Sequence, residues 1–317
     1  MHYLNPCLRW MQKTHLHGPS LPAMDRRAVL IVLTAGTLFG LCVPFSKALI
    51  GDIDPIMMVG LLYAGATVGT GTWFLLRRRG TVPGPSSRMN RSERSYLAGS
   101  TLTGAIMAPI LLMVGLKWTA GSDASLLLNL EGVMTAVIAV AFFHDRGGRR
   151  LWLALAAMTV ASTILSYAPG GGFGGNGALL IVLSMLCWGI DNNFMQRISH
   201  LDPVKLSTIR SGIAATFSLS LALILYGGQD LAVAMAYAMI IGAVSYGLSN
   251  VLFFVGLRHL GSSRTGTFFS VGPYAAAMAA IPLLGEPVTV QLVIAGSLMA
   301  AGTFLLTRER VPRIGTS

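Results

Sequence analysis

Ten apolar runs, each long enough to cross a bilayer, fix what this chain can fold into. They occupy residues 28–50, 55–76, 95–117, 121–143, 150–168, 177–198, 204–226, 230–256, 262–284 and 288–307. A helix rises about 1.5 Å per residue, so roughly 17 to 25 residues cross the ~30 Å of hydrocarbon. Composition agrees, with 53% of the residues hydrophobic and 11% charged, against about 25% charged in an ordinary soluble protein. The expectation is an all-α fold: a polytopic membrane protein of ten transmembrane helices.

The formal net charge of +11 is the balance that nucleic-acid binders carry, but its distribution follows loop parity. Basic residues gather before the first run, at 77–94 (Arg77, Arg78, Arg79, Arg88, Arg91, Arg94), after the fourth run (Arg146, Arg149, Arg150), at Arg197 and Lys205, at Arg258 and Arg264, and in the tail at Arg308, Arg310 and Arg313. The alternate loops, "GDID", "AGSD", "GGGFGGNG", "GGQD" and "GEPVT", hold none, with only Lys47 and Lys117 at nearby helix ends. By the positive-inside rule both termini are expected to be cytoplasmic, with the lipid bilayer as partner and no nucleic acid. Residues 1–27 lack the apolar core and cleavage site of a secretory signal and read as a disordered cytoplasmic tail; 308–317 form a second tail. Cys7, Cys42 and Cys187 make no metal spacing and no disulfide set, so no metal and no cofactor is expected.

The chain repeats itself. "VGLKWTAGSDAS" at 114–125 matches "VGLRHLGSSRTG" at 255–266 without a gap, an offset of 141 residues. At that offset Gly132 falls on Pro273 and Asp145 on Glu286. "FGLCVPF" at 39–45 matches "WGIDNNF" at 188–194, and "IDP" at 53–55 matches "LDP" at 201–203. Two five-helix units follow, 28–168 and 177–307, joined by a glycine-rich linker at 169–176. Because five is odd, the second unit enters the membrane upside down, giving the inverted repeat of many secondary transporters.

The two halves, the "FG" and "WG" of the first and sixth helices, Pro273 with Glu286 thirteen residues on, and Arg210 seven residues after Pro203 resemble the EamA-type transporters of the drug/metabolite transporter superfamily. The likeness covers about 24 to 310. It implies ten helices around a central cavity between the halves and alternating-access export of small metabolites or drugs. The membrane expected is a bacterial cytoplasmic (inner) membrane, with the protein a monomer or a homodimer. Three positions depart from the family's usual pattern: Gly132 stands where proline is common, Asp145 where glutamate is, and Leu62 opposite Arg210.

Polar residues inside apolar runs are the site candidates, since a charge at the bilayer centre costs about 2.5 to 3.5 kcal/mol on insertion scales. Glu131 lies near the middle of 121–143, otherwise one unbroken apolar helix, with Asn129 and Thr135 beside it. It is either a carboxylate held by a neighbouring helix or a titratable group facing the cavity, able to exchange a proton or meet a cationic substrate group. Asp191, Asn192 and Asn193 cannot all face one way, because successive helical residues turn by about 100°. Asp191 and Arg210 lie at matching depths, and an ion pair linking their helices accounts for both. Pro44 and Pro273 are hinge candidates, each freeing a carbonyl on a helix that the resemblance puts beside the cavity. Lys47 and Lys117 are expected to snorkel to the interface.

Two other patterns carry less. "GFGGNG" at 172–177 has dinucleotide-binding glycine spacing, but no strand precedes it and it falls on the extracytoplasmic side. An intramembrane protease would use Glu131 and Asp191 as its acid dyad, but no second helix carries an equivalent Gly-rich aspartate motif. A membrane enzyme and a passive channel remain the alternatives to a transporter; a non-enzymatic secondary transporter, with no ATPase motif, explains most of the chain.

Overall fold

The computed structural model describes residues 26–80, 89–143, 149–168, 172–173, 175–227, 232–260, 265 and 268–307, and nearly all of them are helical. A two-stranded ladder, β1 (Tyr167–Ala168) with β2 (Gly172–Phe173), closes the connection between the halves. Asp145 lies outside the described residues.

Six helices among the described residues are long and apolar enough to cross a membrane: Arg26–Leu49, Pro55–Leu76, Arg91–Lys117, Asn176–Ile198, Pro203–Tyr226 and Ala232–Leu260. Three shorter apolar helices, Trp152–Ile164, Val271–Leu284 and Val290–Leu305, accompany them. The segment expected as one helix over 121–143 is two, α6 (Gly121–Leu127) and α7 (Leu130–Phe143). The break has a local cause. The Leu126 carbonyl accepts both the backbone N–H and the side-chain Nδ2 of Asn129, each at 3.0 Å, and Glu131 N bonds the Leu128 carbonyl at 3.1 Å. A short polar side chain here competes with the regular ladder, and the turn tightens. The ninth segment breaks at the equivalent place, with Ser270 in a turn before α13 (Val271–Leu284). Pro273 lacks the N–H that would close a bond to Phe269 across that turn.

Matching sequence motifs start matching helices. Pro55 opens α3 (Pro55–Gly80), and Pro203 opens α10 (Pro203–Tyr226). Asp202 caps the latter by accepting from Val204 N at 2.9 Å and Lys205 N at 3.2 Å, while proline at the first helical position gives up no needed donor. At the basic end, Asn90 and Glu93 form a reciprocal capping box on α4 (Arg91–Ser100).

Packing is reciprocal between the halves. α3 pairs with α10, and α8 (Arg149–Ser166) with α14 (Val290–Thr307). α1 (Arg26–Gly40) packs on α13 and on α12 (Ser249–Leu260) of the second half. α9 (Gly175–Ile198) packs on α7 and on α5 (Ala108–Lys117) of the first. An approximate two-fold exchange of the units produces this pattern. Close approach requires glycine where α1 crosses α13: a Cβ on Gly40 would strike the Gly272 carbonyl, and one on Gly272 the carbonyl of Gly36.

The third and eighth segments each widen into a π-helical turn, Thr101–Met107 and Ala243–Leu248. These coincide at the 141-residue offset to within one residue, so the repeat extends to a helical irregularity that the aligned letters do not display.

Candidate functional site

A cavity of about 40 Å³ lies between the halves, lined from the first half by Phe39, Tyr63, Gly104 and Glu131 and from the second by Trp188, Asp191, Asn192, Arg210 and Tyr246, among others. A single water needs roughly 10 to 15 Å³ on this measure, so the space admits a few waters.

The expected ion pair is present. Arg210 Nη2 lies 2.7 Å from Asp191 Oδ2, with both side chains buried. Ser100 Oγ donates to Asp191 Oδ1 at 2.5 Å, and Arg210 Nη2 also donates to the Ser100 carbonyl at 3.4 Å. Each Asp191 oxygen therefore has a donor. Arg210 Nε is buried and has no partner among the described residues.

The π-turn explains the floor of this arrangement. Ala108 N bonds the Thr103 carbonyl, one residue further back than in an α-helix. The next donor that could reach Gly104 would be that of residue 109, and residue 109 is proline. The Gly104 carbonyl is left to side chains, and Trp188 Nε1 donates to it at 2.9 Å and Tyr63 Oη at 3.4 Å. Gly104 must also be glycine for a second reason: a Cβ there would collide with the Asp191 carboxylate. π-turns concentrate at functional sites, and this one brings four cavity residues together.

Glu131 stands at the second position of α7, immediately after the break. Asn192 Nδ2 donates to Glu131 Oε1 at 2.7 Å and approaches Thr135 Oγ1 at 3.2 Å, while Thr135 Oγ1 donates to the Glu131 carbonyl at 2.8 Å. The first turn of a helix favours a carboxylate, so the broken segment offers Glu131 a positive dipole end as well as an amide. A continuous apolar helix would have given it neither.

The remaining candidates divide. Asn192 and Asp191 reach the cavity, whereas Asn193 donates to the carbonyls of Gly189 (2.8 Å) and Thr135 (3.1 Å) and ties α9 to α7. Asn129 sits in the break and does not line the cavity. Pro273 follows a turn, and Pro44 follows the turn residue Leu41 between α1 and α2 (Cys42–Leu49). Lys47 does not snorkel: its Nζ donates to the Leu116 carbonyl at 2.6 Å, an orphan acceptor near the end of α5. Sequence reading missed Ser100, Tyr63, Trp188 and Gly104. Pro109 five residues after Gly104 was the available signal.

Compared with known proteins, the sequence matches the EamA-like transporter family over residues 26–167 and again over 175–308. The chain belongs to that family. An uncharacterized transporter of Methanothermobacter thermautotrophicus is 24% identical over 300 residues, covering 87% of this chain and 84% of the relative. A solved crystal structure of a protein superposes with a TM-score of 0.65 at 17% identity, covering 88% of this chain and 95% of that one. That likeness concerns the fold. The two family matches coincide with the two halves that pack reciprocally, so this member of the EamA-like transporters is a membrane protein built from two copies of one unit.

Proposed function

We propose that the chain is a secondary transporter that exports a small organic molecule by alternating access, with its substrate site in the central cavity and Glu131 as the coupling group. The observation that carries this reading is the convergence of Glu131 with the Asp191–Arg210 pair at a cavity shared by both halves, beside breaks in two helices. Discontinuous helices and midplane sites between repeats are the usual construction of secondary transporters. A metabolite pocket measures about 300 to 1,000 Å³, so the cavity must widen to accept substrate, which an occluded stage of alternating access requires. The inner-membrane orientation with cytoplasmic termini rests on the alternation of basic loops.

Glu131 is titratable and faces Asp191, Arg210 and Tyr246 from the neighbouring helices. Substrates are found by comparing the medium of cells that express or lack the protein, and flux is then measured in liposomes from about pH 5.5 to 8.5, the range that a buried carboxylate reaches. Wild-type flux should vary with pH, and Glu131→Gln should flatten the profile while melting stays nearly unchanged. An unchanged profile in a variant that melts earlier would assign Glu131 to packing alone.

A further inference from the structure

We infer that the central cavity selects an organic monocation, an amine with an apolar or aromatic body, over anions and zwitterions; this deepens the transporter reading and rests on it. Charge comes first. The described residues that line the cavity include two carboxylates, Glu131 and Asp191, and one cation, Arg210. The cation is already committed: Arg210 meets Asp191 at 2.7 Å, and Ser100 fills the other carboxylate oxygen. Among the described residues the Glu131 carboxylate receives only a neutral amide, at Oε1 from Asn192. With Glu131 ionised the site therefore carries one uncompensated negative charge, which a substrate cation neutralises. A substrate carboxylate has no such opening. The Arg210 Nε donor is without a partner among the described residues, but the charge of that guanidinium is already balanced by Asp191, so a carboxylate placed there adds a second uncompensated negative charge beside Glu131.

The walls agree with the charge. Seven of the fourteen lining residues are aromatic, and no lysine or second arginine stands among them. Phe39 is the hub, with its ring centroid 5.4 Å from Trp188, 5.7 Å from Tyr246 and 5.4 Å from Phe269. Tyr63 and Tyr246 lie 4.9 Å apart, and Phe253 and Phe269 4.8 Å. Ring faces carry negative charge density and attract desolvated cations, while the same rings cover an apolar body. An anion would meet the uncompensated carboxylate.

Trp188 lines the cavity and reports on it. Purified protein is titrated with 2-phenylethylammonium, its neutral isostere 2-phenylethanol, the anion 3-phenylpropionate and the zwitterion phenylalanine, following tryptophan fluorescence. The cation should bind saturably and at least about tenfold tighter than each of the others, and Trp188→Phe should remove most of the signal. Glu131→Gln should bring cation and alcohol to within about twofold, and Glu131→Asp, which keeps the charge, should retain most of the preference. Equal or tighter binding of the zwitterion or anion overturns the inference. So does absence of cation binding, a signal that survives Trp188→Phe, or a preference unaffected in Glu131→Gln protein that melts like wild type. Counterflow of the cation in liposomes tests transport separately: binding without counterflow removes the transporter reading and keeps the charge preference, and counterflow of another solute without cation binding does the reverse.

Discussion

Asp191 and Arg210 illustrate how a residue can be costly alone and tolerable in company. Each charge is buried, and each is bonded to the other. Removing one partner of a buried pair costs about 3 to 5 kcal/mol because the survivor stays in a medium that cannot solvate it. Asp191→Asn and Arg210→Gln should each lower the detergent melting temperature more than the double variant does, and the double-mutant cycle should return a coupling well above about 1 kcal/mol. Additive losses would show the two acting apart. Gly104 belongs to the same unit, since any Cβ there meets Asp191. Gly104→Ala should therefore destabilise the wild type and lose most of that effect in an Asp191→Ala background, where the space is vacated. Equal losses in both backgrounds would rule out the collision as the cause.

Among the elements, apolar length and basic loops were legible in the sequence, whereas the irregularities that shape the site were only partly so. Apolarity says that 121–143 can cross a bilayer; it does not register that Asn129 takes the Leu126 carbonyl and breaks the helix beside Glu131. Asp191 with Arg210 could be paired from matching depths alone. Ser100 and Trp188 could not, because their partners depend on the register of a π-turn that hydropathy does not see. Pro273 was legible as a breaker, and its turn at Ser270 is where it acts. Pro273→Ala restores a donor within reach of the Phe269 carbonyl and favours a continuous helix through the break. The variant should melt at an unchanged or higher temperature and transport several-fold more slowly, the trade expected where function needs a break. Unchanged flux at raised stability would remove Pro273 from the list of hinges.

For the whole molecule, the two halves are fastened at the ends of their helices as well as through the cavity. Gly285 adopts a left-handed φ of 64° and ends α13, while Glu286 N bonds the Ile281 carbonyl at 3.1 Å. This termination sends the Glu286 side chain across to the first half, where its two oxygens accept from Gly121 N at 2.6 Å and Ser122 N at 2.8 Å. Both donors are orphan N–H groups of the first turn of α6, so a carboxylate of one repeat closes the helix of the other. Under the positive-inside orientation this fastening faces away from the cytoplasm. Under the proposed alternating access, opening on that side breaks it. Glu286→Gln keeps the size but offers one acceptor and a competing donor, so one N–H is released and stability should fall by about 1 to 3 kcal/mol. In a background with Cys7, Cys42 and Cys187 replaced, a cysteine at Ser122 should react faster with an impermeant maleimide from outside when Glu286→Gln is present. Cysteines at Gly51 and Ser92 fix the sides, the first labelling from outside and the second only from within. If Ser122→Cys reacts at the same rate with either residue at 286, the halves part elsewhere, and Glu286 is a helix cap without a share in the opening.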